Sequence, residues 1–336
     1  MTRDLRVAVA GFGKMGMLHA ALLNVLPEVE LCAVAEPHAL VRRFARRLLP
    51  RARFYADVGR VLEREVPDAV FVTTPTGLHA PLCEAVLQAG SALFVEKPLA
   101  ADSASCREIV RLAEERPVPT MVGYSKRFAP TYQLARRRLR EGAIGQLTSF
   151  EGSVLVSQIF SRAEGWRYRR AGSGGGVLAV LGCHLVDMVR WCLSEIEVSD
   201  GRATSIYSAE VEDEFTAEVR LSSGAQGRLE CSWSRPGYRI PELKLLARGE
   251  RGSLEVTDDY LRTTLDGQAA TLYKQQLLAP VPIDVGGPEY TVEDQSFIAS
   301  LRQCRATEIP VAEGYRTQVA VDRLYESATF TRRPEP

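Results

Sequence analysis

The sequence predicts an α/β protein. Residues 1–122 form a doubly wound parallel sheet, and residues 123–336 form an α+β domain on a large, mostly antiparallel, open sheet. Three observations carry this. Short apolar runs alternate with helical patterns over the first third, the rhythm of βαβ units. Beyond residue 122 the strands lengthen and alternate apolar with polar positions. At 336 residues the chain exceeds an ordinary single domain, so two cores are expected.

In order, the first domain reads as the strand LRVAVA, a helix from about Met15, the strand LCAVAE, a helix through VRRFARRLL, and then the strands DAVFVTT and ALFVEKP. These runs are apolar on consecutive positions, as strands covered by helices on both faces must be. Gly-rich and Thr-Pro turns fall at their C-terminal ends, the edge where open α/β sheets bind ligands. After VPTMVGYSKRF come LTSFEGSVLVS, EFTAEVRLSSG, AQGRLECSWS, ELKLLARGE and GSLEVTDD. Ser222 to Gly224 is a tight-turn signal between two of these strands, and the helical run GVLAVLGCHLVDMVRWCL interrupts the series.

Composition narrows the function. Hydrophobic residues make up 46% and charged residues 25%, an ordinary globular balance. Lys plus Arg (42) equals Asp plus Glu (42), so no net field draws the chain to nucleic acid or an anionic membrane, and a small-molecule partner is expected. The basic segments RRFARRLL and LARRRLRE read as solvated helix faces, since no aromatic residue interleaves the second. No apolar stretch is expected to reach the roughly 18–20 residues of a membrane helix. Met1 leads directly into LRVAVA without a basic or apolar leader, so a cytoplasmic location is expected. The seven cysteines are scattered and form no C-x-x-C pair, which favours reduced thiols and no metal site.

GFGKMG (Gly11, Phe12, Gly13, Lys14, Met15, Gly16) follows a strand and opens a helix, the context in which G-x-G-x-x-G marks a dinucleotide-binding Rossmann turn. Gly11 permits the tight turn, Gly13 lets the backbone approach a pyrophosphate, and Gly16 lets helix and strand pack, while the helix N-terminus offers free N–H groups. Glu36 closes the second strand about 20 residues on, where an acid accepts hydrogen bonds from the adenosine ribose. NAD is therefore expected as cofactor ahead of NADP. In the other reading, Glu36 only ends a strand and Arg42 or Arg43 holds a 2′-phosphate.

Lys97 ends a buried strand, and Pro98 restricts it to an extended conformation. A partly desolvated lysine held at the cofactor edge can, as the free amine, move a hydroxyl proton; a salt bridge to Glu96 is the simpler reading. His184 lies in an apolar helix, where a lone histidine is more often a satisfied core residue. Arg162, Arg167, Arg169 and Arg170 precede that helix, either as a fork for phosphate or carboxylate or as a solvated loop.

TTPTGLHAP, FVEKPLA, MVGYSKRFAP and GGGVLAVLGCHLVDMVRW, in that order, resemble the glucose-fructose oxidoreductase, inositol dehydrogenase and rhizopine catabolism (Gfo/Idh/MocA) family over essentially the whole chain. The resemblance implies that Lys97, in the family's E-K-P motif, binds substrate and takes part in proton transfer. It implies that His184 is the histidine of the D-x-G-x-H-x-x-D pattern, with Asp187 as its second acid. Thr74, Pro75, His79 and Glu96 fall beside the cofactor, and Tyr124, Arg127 and Trp166 border the substrate. The first aspartate of the pattern is replaced by Val180, which offers neither charge nor hydrogen bond. The implied function is an NAD(P)-dependent dehydrogenase or ketoreductase acting on a secondary hydroxyl or ketone of a sugar, cyclitol or nucleotide-linked sugar. Val180 leaves two alternatives: a glycosidase-like enzyme with hidden redox chemistry, or a dinucleotide-sensing protein without turnover. The open sheet needs cover, so a homodimer or homotetramer through the second domain is expected.

Overall fold

The computed structural model describes residues 3–162, 164–278 and 287–334. The chain divides into two compact units, Met1–Tyr124 with Ile283–Arg316 and Ser125–Pro282 with Thr317–Pro336. The first crossing lies just beyond the boundary expected near residue 122. A single boundary does not capture the later part of the chain, which returns to the first unit.

The first unit holds β1 (Leu5–Ala10), α1 (Lys14–Leu23), β2 (Val29–Ala35), α2 (Ala39–Leu48), β3 (Arg53–Tyr55), α3 (Val58–Glu65), β4 (Ala69–Val72), α4 (His79–Gln88), β5 (Ala92–Glu96), α5 (Ser103–Glu115) and β6 (Thr120–Gly123). All six strands are parallel, in the order β3-β2-β1-β4-β5-β6. The strand order reverses at β1 and β4, the place where this topology opens a crevice for a ligand. Every residue of β4 and β5 is buried, which explains their unbroken apolar runs. Asp57 and Asp102 fix the starts of α3 and α5 by accepting the N–H groups of Arg60 (2.9 Å) and Ser105 (2.7 Å). Within the core, Phe71 stacks on Phe94 (4.4 Å between centroids), and Phe297 from the returning helix Pro288–Arg302 meets both rings edge-on.

The second unit contains α6 (Pro130–Arg140), β7 (Leu147–Leu155), the single turn α7 (Arg170–Ser173), a π-helical turn (Leu178–Gly182) and α8 (Cys183–Cys192). These are followed by β8 (Ile196–Ser205), β9 (Glu214–Leu221), β10 (Gln226–Ser232), β11 (Glu242–Gly249), β12 (Gly252–Val256), β13 (Tyr260–Leu265), β14 (Gln268–Tyr273) and the single turn α9 (Lys274–Leu277). With α10 being Pro288–Arg302 of the first unit, the chain re-enters the second unit within α11 (Val311–Glu326) and ends on β15 (Ala328–Arg332). The nine strands lie in the order β14-β13-β12-β11-β7-β10-β9-β8-β15. The pairs β7–β10 and β8–β15 are parallel and the others antiparallel, so the sheet is mostly antiparallel, as expected.

Phe215, Ala217, Val219 and Leu221 on β9 are buried alternately with more exposed neighbours, giving the sheet one core face. Helix α8 packs on that face at Gly152 of β7, where a Cβ would come within 2.8 Å of Leu185. The turn Ser222–Gly224 links β9 to β10, with Gly224 at φ +87°.

Residues 170–192 correct one expectation: this run is long and apolar enough, by length and composition alone, to cross a membrane. Its apolar window is 72% buried inside the molecule, as in the core helix of a folded domain. All seven cysteines are free thiols, six buried and Cys304 exposed.

Candidate active site

The C-terminal edge of the parallel sheet gathers most of the residues singled out from sequence. Gly11 leaves β1 at φ +89°. A Cβ on Gly16 would stand 2.1 Å from the Gly11 carbonyl oxygen, so only glycine lets α1 approach β1 this closely. Gly13 differs: a Cβ there would meet no protein atom within 4 Å. Gly13 is also the N-cap of α1, so no side-chain cap hydrogen bond is made there, and the first turn contains no acidic residue. Uncapped N–H groups beneath an open backbone suit a pyrophosphate, so these residues fit the dinucleotide.

Glu36, 6% exposed, stands just beyond β2. Its Oε2 accepts the Phe12 N–H (3.0 Å) and its Oε1 the His38 N–H (2.8 Å), which fixes the carboxylate beside the glycine turn. Arg42 Nη1 donates to the Glu36 and Pro37 carbonyls (2.6 and 2.7 Å), so this guanidinium is engaged with backbone where a 2′-phosphate reading needs it available. Beyond β4, Thr74 Oγ1 is buried without a hydrogen-bond partner among the described residues, and Pro75 leads into the turn Thr76–Leu78.

His79 ties two of these loops together. Its Nδ1 lies 2.8 Å from the Pro98 carbonyl and its Nε2 2.9 Å from the Thr74 carbonyl. Burial lowers the His79 pKa more than these carbonyls raise it, so the neutral ring donates through one nitrogen at a time. Lys97, half-buried, follows β5 directly, and its N–H donates to Glu96 Oε2 (3.0 Å). Glu96 thus anchors the Lys97 backbone. Tyr124, which follows β6, is fully buried.

In the second unit His184 occupies the first turn of α8, half-buried, and Val180 lies one turn earlier in the π-helical segment. The resemblance makes Asp187 the second acid of the pattern that contains His184. Its carboxylate receives Arg127 Nε (2.8 Å) and Nη2 (2.6 Å), with Thr317 Oγ1 at 3.0 Å. Arg127, expected to border the substrate, is only 5% exposed and braces α8 through this bidentate pair. Trp166 is 39% exposed, with the Arg167 guanidinium 5.4 Å from its ring.

Several residues at these positions were not singled out from sequence. Glu212, buried in the second unit, accepts the Gly176 and Leu178 N–H groups (3.0 Å each) and the Tyr325 hydroxyl (2.7 Å), so it caps the turn leading to His184. Burial raises its carboxyl pKa against the pull of those donors. The glycine run was the available signal, because a Cβ on Gly175 or Gly176 would strike Tyr325 or Glu212. In the first unit, His19 on α1 and Glu293 and Asp294 on α10 converge on Glu96. His19 Nε2 lies 3.1 Å from Glu96 Oε1, and its Nδ1 lies 2.9 and 3.1 Å from the two Asp294 oxygens.

Comparison with known proteins agrees with this geometry. A family model described as an oxidoreductase family with an NAD-binding Rossmann fold matches residues 5–124, and the GFO/IDH/MocA C-terminal domain model matches residues 132–255. The myo-inositol dehydrogenase Hyg17 of Streptomyces leeuwenhoekii is 33% identical over 303 residues, covering 84% of this chain and 90% of that protein. The scyllo-inositol 2-dehydrogenase (NAD(+)) of Bacillus subtilis (strain 168) is 29% identical over 244 residues, 70% of this chain and 69% of that protein. A solved structure of levoglucosan dehydrogenase in complex with NADH and levoglucosan shares the fold at TM-score 0.89 and 22% identity, with 97% of each chain covered. With its glycine turn, its Glu36 and both family domains in order, the chain belongs to the Gfo/Idh/MocA family and is an NAD-binding oxidoreductase of the sugar and cyclitol dehydrogenase group.

Proposed function

We propose that the enzyme interconverts a secondary hydroxyl and a ketone on a cyclitol or sugar, with Lys97 and His184 handling the hydroxyl proton. The observation that carries this reading is Lys97. It follows β5 on the same sheet edge as the glycine turn, with its backbone anchored by Glu96. The names of the relatives, inositol and levoglucosan dehydrogenases, support the substrate class.

Bound NAD supplies the hydride acceptor at C4 of its nicotinamide. The chain's own residues then have three tasks. The α1 N-terminus and Glu36 hold the pyrophosphate and adenosine ribose. Lys97, as the neutral amine, accepts the hydrogen bond and then the proton of the substrate hydroxyl at Nζ, becoming the ammonium, as the carbinol hydrogen leaves as hydride, so the carbon loses two electrons and the oxygen becomes a carbonyl. His184 is proposed as the second residue in proton transfer.

Val180 favours a second reading, in which a transient ketone is made and reduced again within one cycle, or in which NAD is bound without turnover. NAD retained through purification, with no net redox change on any polyol, would point there.

The test is a screen of cyclitols, sugars and nucleotide sugars for reduced-nicotinamide absorbance, with Lys97→Ala as control. Turnover that disappears in Lys97→Ala supports the reading. Undiminished turnover in Lys97→Ala sinks it. Val180→Asp, which restores a carboxylate one turn before His184, should raise kcat if a relay has been lost and lower it if the pocket has been rebuilt around valine. Copies of the chain are proposed to associate through the open nine-stranded sheet, which sedimentation velocity would check.

A further inference from the structure

We infer that His19 is a positioning residue for the Glu96–Lys97 turn: a buried imidazolium, gripped by Asp294, whose second N–H fixes the carboxylate that anchors the Lys97 backbone. This rests on the role proposed for Lys97 above.

The hydrogen-bond partners favour the charge. His19 is 0% exposed, and both ring nitrogens face carboxylates, Asp294 on Nδ1 and Glu96 on Nε2. An ionised carboxylate only accepts, so beside two of them each contact needs a hydrogen on nitrogen, and a neutral ring would turn a lone pair toward a buried anion; burial raises the Asp294 carboxyl pKa against the pull of the His19 charge and hydrogen bond. Glu96 also spends its other oxygen on the Lys97 N–H. Without the His19 donor, this carboxylate, only 6% exposed, would lose the hydrogen bond that orients its Oε1.

The surroundings favour the same state. Glu293 is fully buried, and among the described residues neither of its carboxyl oxygens has a hydrogen-bond partner. Burial, then the charges of Glu96, Asp294 and Glu289, push its pKa well up against the pull of His19, which favours the neutral acid and leaves the imidazolium to the other two carboxyl groups. Burial alone would lower the His19 pKa, but Asp294 and Glu96 outweigh it and hold the ring charged. Tyr290 stands edge-on to the ring at 6.4 Å, Phe71 and Phe94 cover it, and His79 on α4 feels the Glu96 charge.

His19, Glu293 and Asp294 each bring one donor atom within 4.8 Å of the others, a set that could also hold a divalent cation. The spacing argues for protons. Two ligands on a tetrahedral zinc, with bonds of ~2.1 Å, stand ~3.4 Å apart. Nδ1 of His19 and Oδ1 of Asp294 are 2.9 Å apart, the separation of a charge-assisted hydrogen bond.

The chain has four histidines, which suits 15N imidazole NMR, with His19→Gln to assign the signal. The wild-type His19 ring should be doubly protonated at pH 7.5, and Asp294→Asn should lower the pH at which it loses a proton. A neutral ring at pH 7.5 overturns the inference, and so does about one metal ion per chain removed by chelator. Positioning is read separately, by hydrogen exchange at the Lys97 amide, which should quicken at least tenfold in His19→Gln while the flanking amides of β5 stay protected. Unchanged Lys97 exchange overturns the positioning role. Neither measurement uses turnover, so both hold their meaning if the polyol screen fails. If the screen succeeds, Asp294→Asn should move the alkaline limb of kcat/KM to lower pH, and superimposable profiles would refute the coupling.

Discussion

Removing one partner of the Arg127–Asp187 pair should cost more than almost any other single change in the second unit. The two side chains are 5% and 2% exposed and meet through two hydrogen bonds of 2.8 and 2.6 Å. Thr317 adds its hydroxyl to the same carboxylate, and Arg190 in turn donates to Thr317 (2.6 Å) while pairing with Glu195. Asp187→Ala leaves a guanidinium in the interior without its carboxylate, a loss of about 3–5 kcal/mol. For a domain of this size each kcal/mol moves Tm by about 2–4 °C, so the transition of the second unit should fall by roughly 6–20 °C. Differential scanning calorimetry without added NAD reads this directly, with the two units followed as separate transitions if they melt apart. The double variant Arg127→Met with Asp187→Leu should melt above either single variant, because two apolar side chains carry no desolvation cost. A Tm for Asp187→Ala within about 2 °C of the parent would refute the reasoning, since only a solvated pair is that dispensable.

The two glycines of the dinucleotide turn should separate binding from folding. Gly16→Ala forces a Cβ against the Gly11 carbonyl and should lower Tm, whereas Gly13→Ala meets no protein atom and should leave Tm unchanged while weakening NAD at least tenfold by calorimetric titration. A second outcome concerns pH. Burial raises the Glu293 pKa in the fold above the value of 4.5 it starts from, so its contribution to stability is complete below about pH 4.5 and is lost as pH rises through the raised value. His19, also raised, acts in the same direction from 6.5 upward. The Tm of the first unit should therefore fall on the alkaline side, and Glu293→Gln, which cannot ionise, should show a shallower fall in a pH series of melts; equal slopes would show that Glu293 is already ionised in the fold.

What was legible in the sequence is what local pattern encodes. The unbroken runs of β4 and β5 and the alternation of β9 follow from which faces are covered, and the glycine turn and Glu36 lie within one βαβ unit. The missing pieces are long-range. His19 and Asp294 are 275 positions apart, and nothing local marks α10 as the helix that completes the first core. Arg127 and Asp187, 60 positions apart, each look like candidates for solvent or substrate until the fold pairs them. The parallel register of β7 with β10 is likewise set by a crossover that periodicity cannot show. Val180 was legible as a departure from the family pattern, and its consequence belongs to the chemistry.

The most direct test of the central claim is isotopic. The enzyme, NAD and a panel of cyclitols and sugars deuterated on carbon are incubated together, and the cofactor is recovered for mass spectrometry. Reduced nicotinamide carrying one deuterium at C4, formed by the parent protein and absent with Lys97→Ala, is the expected result. Recovered NAD with no deuterium from any member of the panel, alongside binding that calorimetry shows to be intact, would contradict a dehydrogenase built around Lys97.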